Sequence, residues 1–125
     1  MRRTTDDESE IFPIRGDGRR LWRLVHSGLT DEDDWRSHYE RGDPPRRSEV
    51  VSALSHMSLS MWDRVQPLHV LSKRYPRQLG TYIVAIDAFG ELGLWLAATG
   101  PEGHFSVWGR PADLQRSAQL PARPV

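Results

Sequence analysis

Thr81-Tyr82-Ile83-Val84-Ala85-Ile86-Asp87 is the most strand-like stretch of the chain, and Phe89-Gly90-Glu91 turns it into Leu92-Gly93-Leu94-Trp95-Leu96-Ala97. β-branched and aromatic side chains dominate the first run, and a glycine-bearing turn between two apolar runs predicts an antiparallel hairpin. Gly100-Pro101-Glu102-Gly103 is a second turn, into a further strand His104-Phe105-Ser106-Val107-Trp108. Pro111-Ala112-Asp113-Leu114 opens a short helix. Gln119 to Val125 carries two prolines and reads as an edge strand or a free tail.

Upstream the pattern changes. Leu21-Trp22-Arg23-Leu24-Val25-His26 is short and bulky, a strand with Trp22, Leu24 and His26 on one side and Leu21, Arg23 and Val25 on the other. Thr30 followed by Asp31-Glu32-Asp33-Asp34 predicts a capped helix start, with Trp35 and Tyr39 four apart on one face and a stop near Gly42. After the Pro44-Pro45-Arg46-Arg47 loop, Ser48 caps a second predicted helix with Val51 and Leu54 as its apolar stripe. Ser58-Leu59-Ser60-Met61-Trp62 alternates small polar with large apolar residues, a short strand. A third helix holds Pro67 in its first turn, shows Leu68, Leu71 and Tyr75 on one face, and ends at Pro76. Helices segregated from strands in this way predict an α+β domain. Its sheet is mixed or antiparallel with about five or six strands, and its three helices fall mainly in residues 30–75. Residues 1–19, mostly charged, read as a flexible leader, and residues 20–125 as the single domain.

Composition limits the function classes. In 125 residues, 17 Lys+Arg balance 17 Asp+Glu, so no global field draws the chain onto nucleic acid or an anionic membrane; a local basic patch stays open. No apolar run is long enough to span a bilayer, and no signal peptide follows Met1-Arg2-Arg3, which makes the cytoplasm the default expectation. With no cysteine, disulfides, thiolate metal sites and a Cys nucleophile are excluded. His26, His38, His56, His69 and His104 show no HxH, HxxxH or HExxH spacing, so no metal site is expected. Phosphate-binding glycine loops and a GxSxG elbow are also missing.

Three features carry the candidate chemistry. Arg23 and His26 lie in a strand where charge needs a partner or a cleft. Ser58 and Ser60 share one face of a short strand, where hydroxyls either support a site or permit close packing. His104, Ser106 and Trp108 share a face by period two, offering hydrogen bonds beside a stacking ring. The residues Leu21 to His26, Gly80-Thr81-Tyr82-Ile83-Val84 and Gly103-His104-Phe105-Ser106-Val107-Trp108-Gly109 resemble a group of small bacterial proteins with WRxVH, GxYI and GHYxxWG-like elements. More distantly, the order of elements resembles the ADP-ribosyltransferase-like fold, which includes bacterial toxins that act with NAD. That resemblance implies catalytic roles for Arg23, His26, Ser60 and Glu102. It also implies NAD contacts from Arg23, His26, Ser58, His104 and Trp108, with ADP-ribose passing to a macromolecular target. The family's late Glu-x-Glu pair is missing here, and Glu102 is its nearest substitute. The alternative expectation is a non-catalytic interaction domain, of the immunity, antitoxin or accessory kind. It would meet a partner protein through Trp95, Trp108 and the Arg-bearing loops.

Overall fold

Val84, Ile86 and Ala88 are buried while Ala85 and Asp87 between them are half-exposed, so the stretch with the clearest strand signal has one face on the core. The structure is a computed structural model and describes residues 12–42 and 56–125. Its strands are β1 (Ile14–Arg15), β2 (Asp17–Val25), β3 (Leu59–Trp62), β4 (Tyr82–Phe89), β5 (Trp95–Ala98), β6 (His104–Trp108) and β7 (Ala118–Pro124). The helices are α1 (Gln66–Arg74), α2 (Pro76–Leu79) and α3 (Pro111–Arg116), and 3-10 turns occupy Glu32–Trp35 and Gly90–Leu92. All strand pairings are antiparallel, in the order β1-β5-β6-β3-β2-β4-β7, and the described residues form one α+β domain.

Gly16 alone separates β1 from β2, yet β5, β6 and β3 lie between these two strands in the sheet order. The sheet therefore curls back on itself, with the chain from Ile14 to Val25 flanked by β5 near its start and β3 near its end. Gly16 joins the two halves: its N–H donates to the Leu94 carbonyl at 2.8 Å and its carbonyl accepts from Gly90 N at 3.0 Å. A Cβ there would run into the Ala88 carbonyl oxygen, so only glycine lets the strands approach this closely. Inside the curl, Leu21 and Val25 meet Met61, Ile86, Leu96 and Val107 in one apolar cluster, with Leu114 of α3 and Trp35 also in it.

The hairpin expected across Phe89-Gly90-Glu91 is not formed: β4 pairs with β2 and β7, and β5 with β1 and β6, because the 3-10 turn Gly90–Leu92 carries the chain to the other half of the curled sheet. The helical segments depart from expectation as well. The helix expected from Thr30 is one 3-10 turn, Glu32–Trp35, capped by Asp31 rather than Thr30. Only Asp34 and Trp35 of that turn are buried, and Tyr39 is 59% exposed. Without a second apolar residue facing the core, nothing extends the turn into a helix. The second predicted helix falls almost wholly outside the described residues. The third is α1, with Pro67 in its first turn, but Ser72 and not Tyr75 faces inward. α1 ends at Arg74 with Tyr75 as its cap, directly before Pro76 as expected, and Pro76 then opens the short α2. The seventh strand comes from Ile14–Arg15, in the segment read as leader, and β2 also begins within it at Asp17. The tail forms β7 as an edge strand beside β4. Among the described residues no helix is long and apolar enough to cross a membrane.

Candidate functional site

Arg23 stands in the core-facing row of β2, between Leu21 and Val25. β2 and β3 are paired only at Trp22–Trp62, and beyond that pair the Arg23 guanidinium bridges the two strands. Nε donates to the Asp34 carbonyl at 3.0 Å and Nη1 to the Ser60 carbonyl at 3.0 Å. Desolvation pulls its pKa down to about 10, which leaves it charged at neutral pH. Arg23 thus holds the Glu32–Trp35 turn and β3 to β2.

His26, just past the end of β2, is the second clasp. Its backbone N–H donates to Asp34 Oδ1 at 3.1 Å, and Nδ1 lies 2.7 Å from the same oxygen. Nε2 lies 3.0 Å from the Arg77 carbonyl in α2. A carboxylate and a carbonyl only accept, so both ring contacts are hydrogen bonds only when the ring is the imidazolium. The hydrogen bond to Asp34 raises the pKa of His26, helped by the Arg77 carbonyl and the Asp31 charge and opposed by burial. A raised pKa contributes stability that is fully present below the unfolded value of about 6.5 and is lost as pH rises through the folded value. Denaturant titrations at about pH 6 and about pH 9 should show the native chain losing more stability than His26→Gln. The side chain is 44% exposed, so screening keeps the difference within about 1 kcal/mol. An equal loss in both proteins would contradict this role.

The remaining predicted residues lie elsewhere. Ser60 faces outward from β3 opposite Ser106, and Ser58 precedes β3 by one residue. His104 pairs across the ladder with Trp62, their rings edge-on at 4.9 Å, and its Nδ1 donates to the Thr99 carbonyl at 2.9 Å. Burial lowers the His104 pKa, partly offset by that hydrogen bond, which favours the neutral ring. Glu102 is in the turn before β6, where its backbone carbonyl accepts from Arg64 Nη2 at 3.3 Å. Counting from the Trp22–Trp62–His104 row, His26 is four positions toward one end of the sheet and Glu102 two toward the other. At about 3.3 Å per residue they stand on the order of 20 Å apart. The structure therefore brings Ser60, His104 and Trp108 onto one face, places Arg23 on the other, and sets His26 and Glu102 at opposite ends.

That outer face holds more than the sequence reading assigned to it. Trp22 pairs with Trp62, Trp62 with His104, and Trp95 with Trp108, so four of the five tryptophans share it with Ser60, Ser106 and Ala97. Trp95 is 46% exposed, and Trp22, Trp62 and Trp108 are part-buried. Beside Trp22, Arg20 forms a two-toothed ion pair with Asp87 at 2.9 and 3.0 Å, and Gln119 also reaches Asp87. Period two within β6 was enough to align His104, Ser106 and Trp108. Trp22, Trp62 and Trp95 join them through register between strands far apart in sequence, for which one sequence carries no local signal. Among the described residues no group of three His, Asp or Glu converges as a metal site. No protein-family profile, curated protein or solved structure matches the chain.

Proposed function

We propose that the protein is a non-catalytic interaction domain that docks a partner protein through the outer sheet face bearing Trp22, Trp62, Trp95 and Trp108. The observation that carries this reading is the distribution of tryptophan: Trp35 alone of the five is in the core cluster, while the other four indoles stand on the opposite face. This face combines indoles on both sides of a Ser60–Ser106–Ala97 row with the Arg20–Asp87 ion pair at one edge, and Trp and Arg are enriched among interface anchors. An ADP-ribosyltransferase would need Arg23, His26, Ser60 and Glu102 around one NAD molecule. Arg23 and His26 instead direct their donors to Asp34, Ser60 and Arg77 of the chain itself, far from Glu102, which favours the interaction reading. Immunity, antitoxin and accessory proteins are the classes that work by such docking.

A photo-crosslinking residue at position 95, with one at exposed Leu120 on β7 as control, tests the proposal in cells of the native host. One protein should crosslink from position 95 and not from 120. Trp108→Ala should weaken the purified complex by about tenfold or more, the effect of losing an interface anchor. Unchanged affinity in both Trp95→Ala and Trp108→Ala, or NAD binding with resonance shifts confined to Arg23, His26 and Ser60, would overturn it.

A further inference from the structure

A second surface stands apart from the tryptophan face, where α1 and the start of α2 lie beside the first residues of β4 and the end of β7. They enclose an open groove of about 610 Å³, within the size range of small-molecule sites. His69, Ser72 and Lys73 of α1 line one side; Thr81 and Tyr82 at the start of β4 line it as well, with Pro76, Pro124 and Val125. The Ser72 hydroxyl is committed to the Gly80 carbonyl at 2.8 Å and fixes α1 against the entry to β4.

Charge distinguishes this groove from the rest of the surface. Arg19, Arg20, Arg36, Arg110 and Arg116 each pair with a carboxylate. The Lys73 and His69 side chains have no hydrogen-bond or ion-pair partner among the described residues. From Arg64 to Ile86 the chain holds Arg64, Lys73, Arg74 and Arg77 without one acidic residue, and after Asp113 it holds Arg116 and Arg123, again without an acid. Among the residues lining the groove Lys73 carries a cationic side chain, and none is an Asp or a Glu. Arg123 is the neighbour of groove-lining Pro124 and pairs with Ile83, beside Tyr82.

The geometry points to a binding site for a small organic phosphate, a phosphomonoester with an apolar or aromatic body. The Lys73 ammonium, the His69 imidazole and the Thr81 and Tyr82 hydroxyls supply more donors than the two oxygens of a carboxylate can use, and they suit the three terminal oxygens of a phosphate. Pro76, Pro124 and the Tyr82 ring offer the flat apolar surface for the body of the ligand.

The test is an NMR titration of labelled protein with phenyl phosphate, inorganic phosphate, phenol and a short single-stranded oligonucleotide. Phenyl phosphate should give saturable shifts at His69, Lys73, Thr81 and Tyr82, with affinity about tenfold above that of inorganic phosphate or phenol, because head and body bind together. Lys73→Gln should weaken it about fivefold or more, while Arg15→Gln, on the distant β1, leaves it unchanged. Shifts that never saturate, or saturate equally in Lys73→Gln, would overturn the proposal. Tighter binding of the oligonucleotide, with shifts at Arg74, Arg77 and Arg123 but none at Thr81 and Tyr82, would replace it with a nucleic-acid surface.

Discussion

Trp35→Ala is expected to destabilise the domain by about 3–5 kcal/mol, the range for removing a large aromatic from a packed core. Trp35 has no exposed surface, although it comes from a single 3-10 turn, so a short segment contributes one of the largest side chains in the core. Its indole N–H donates to the Thr30 hydroxyl at 3.1 Å, and Thr30 holds a positive φ of 59°, a backbone state that a β-branched residue rarely adopts. Removing the indole empties the cavity and also releases the contact that holds Thr30 in place. For a domain with about 5–15 kcal/mol in total, the loss takes a large share of the stability. Urea denaturation followed by circular dichroism should show a lower midpoint at an unchanged slope. Trp95→Ala, on the exposed face, should move the midpoint little, within about 0.5 kcal/mol. Equal effects in the two variants would contradict the assignment of Trp35 to the core and Trp95 to the surface.

Asp34→Ala is expected to destabilise by about 3 kcal/mol, because three hydrogen bonds to a charged acceptor are lost together. The Asp34 side chain is almost fully buried. It accepts from the His26 backbone and the His26 ring through one oxygen, and from the Asp31 backbone at 3.0 Å through the other. The Arg23 contact uses the Asp34 backbone carbonyl and survives the substitution, which separates the two clasps. Asp34→Asn keeps the shape but removes the charge that raises the His26 pKa, so the His26 pKa should fall and the stability lost between about pH 6 and about pH 9 should shrink. An NMR titration of the His26 ring in both proteins measures that shift. A His26 pKa unchanged by Asp34→Asn would mean that the carboxylate does not hold the imidazolium.

What was legible in the sequence follows from how local each signal is. β4, β6 and the short β3 could be read because their alternation or bulk lies within one strand, and Pro67 marked the start of α1. The acidic run after Thr30 looks like a helix start because its first turn has helix-start chemistry, but a helix also needs an apolar stripe, and Tyr39 points to solvent. β1 was hidden because Ile14 and Arg15 gain strand structure only by pairing with Trp95 and Leu96, most of the chain away. The candidate residues divide in the same way. Arg23 stood out as a charge in a strand, but its partners are backbone carbonyls, which leave no trace in residue identity. The shared face of Trp22, Trp62, Trp95 and Trp108 depends on four strands in register, beyond the reach of period-two reasoning within any one of them.

On the proposed function, the tryptophan face is the working surface and the Arg23–Asp34–His26 cluster is structural. The most direct test is a transverse-relaxation-optimised spectrum of protein labelled at the indole and guanidinium nitrogens, recorded as the crosslinked partner is added unlinked. The predicted result is that the indole signals of Trp62, Trp95 and Trp108 shift while those of Trp35 and Arg23 stay in place. Shifts at the Arg23 guanidinium, with the outer indoles unmoved, would contradict it.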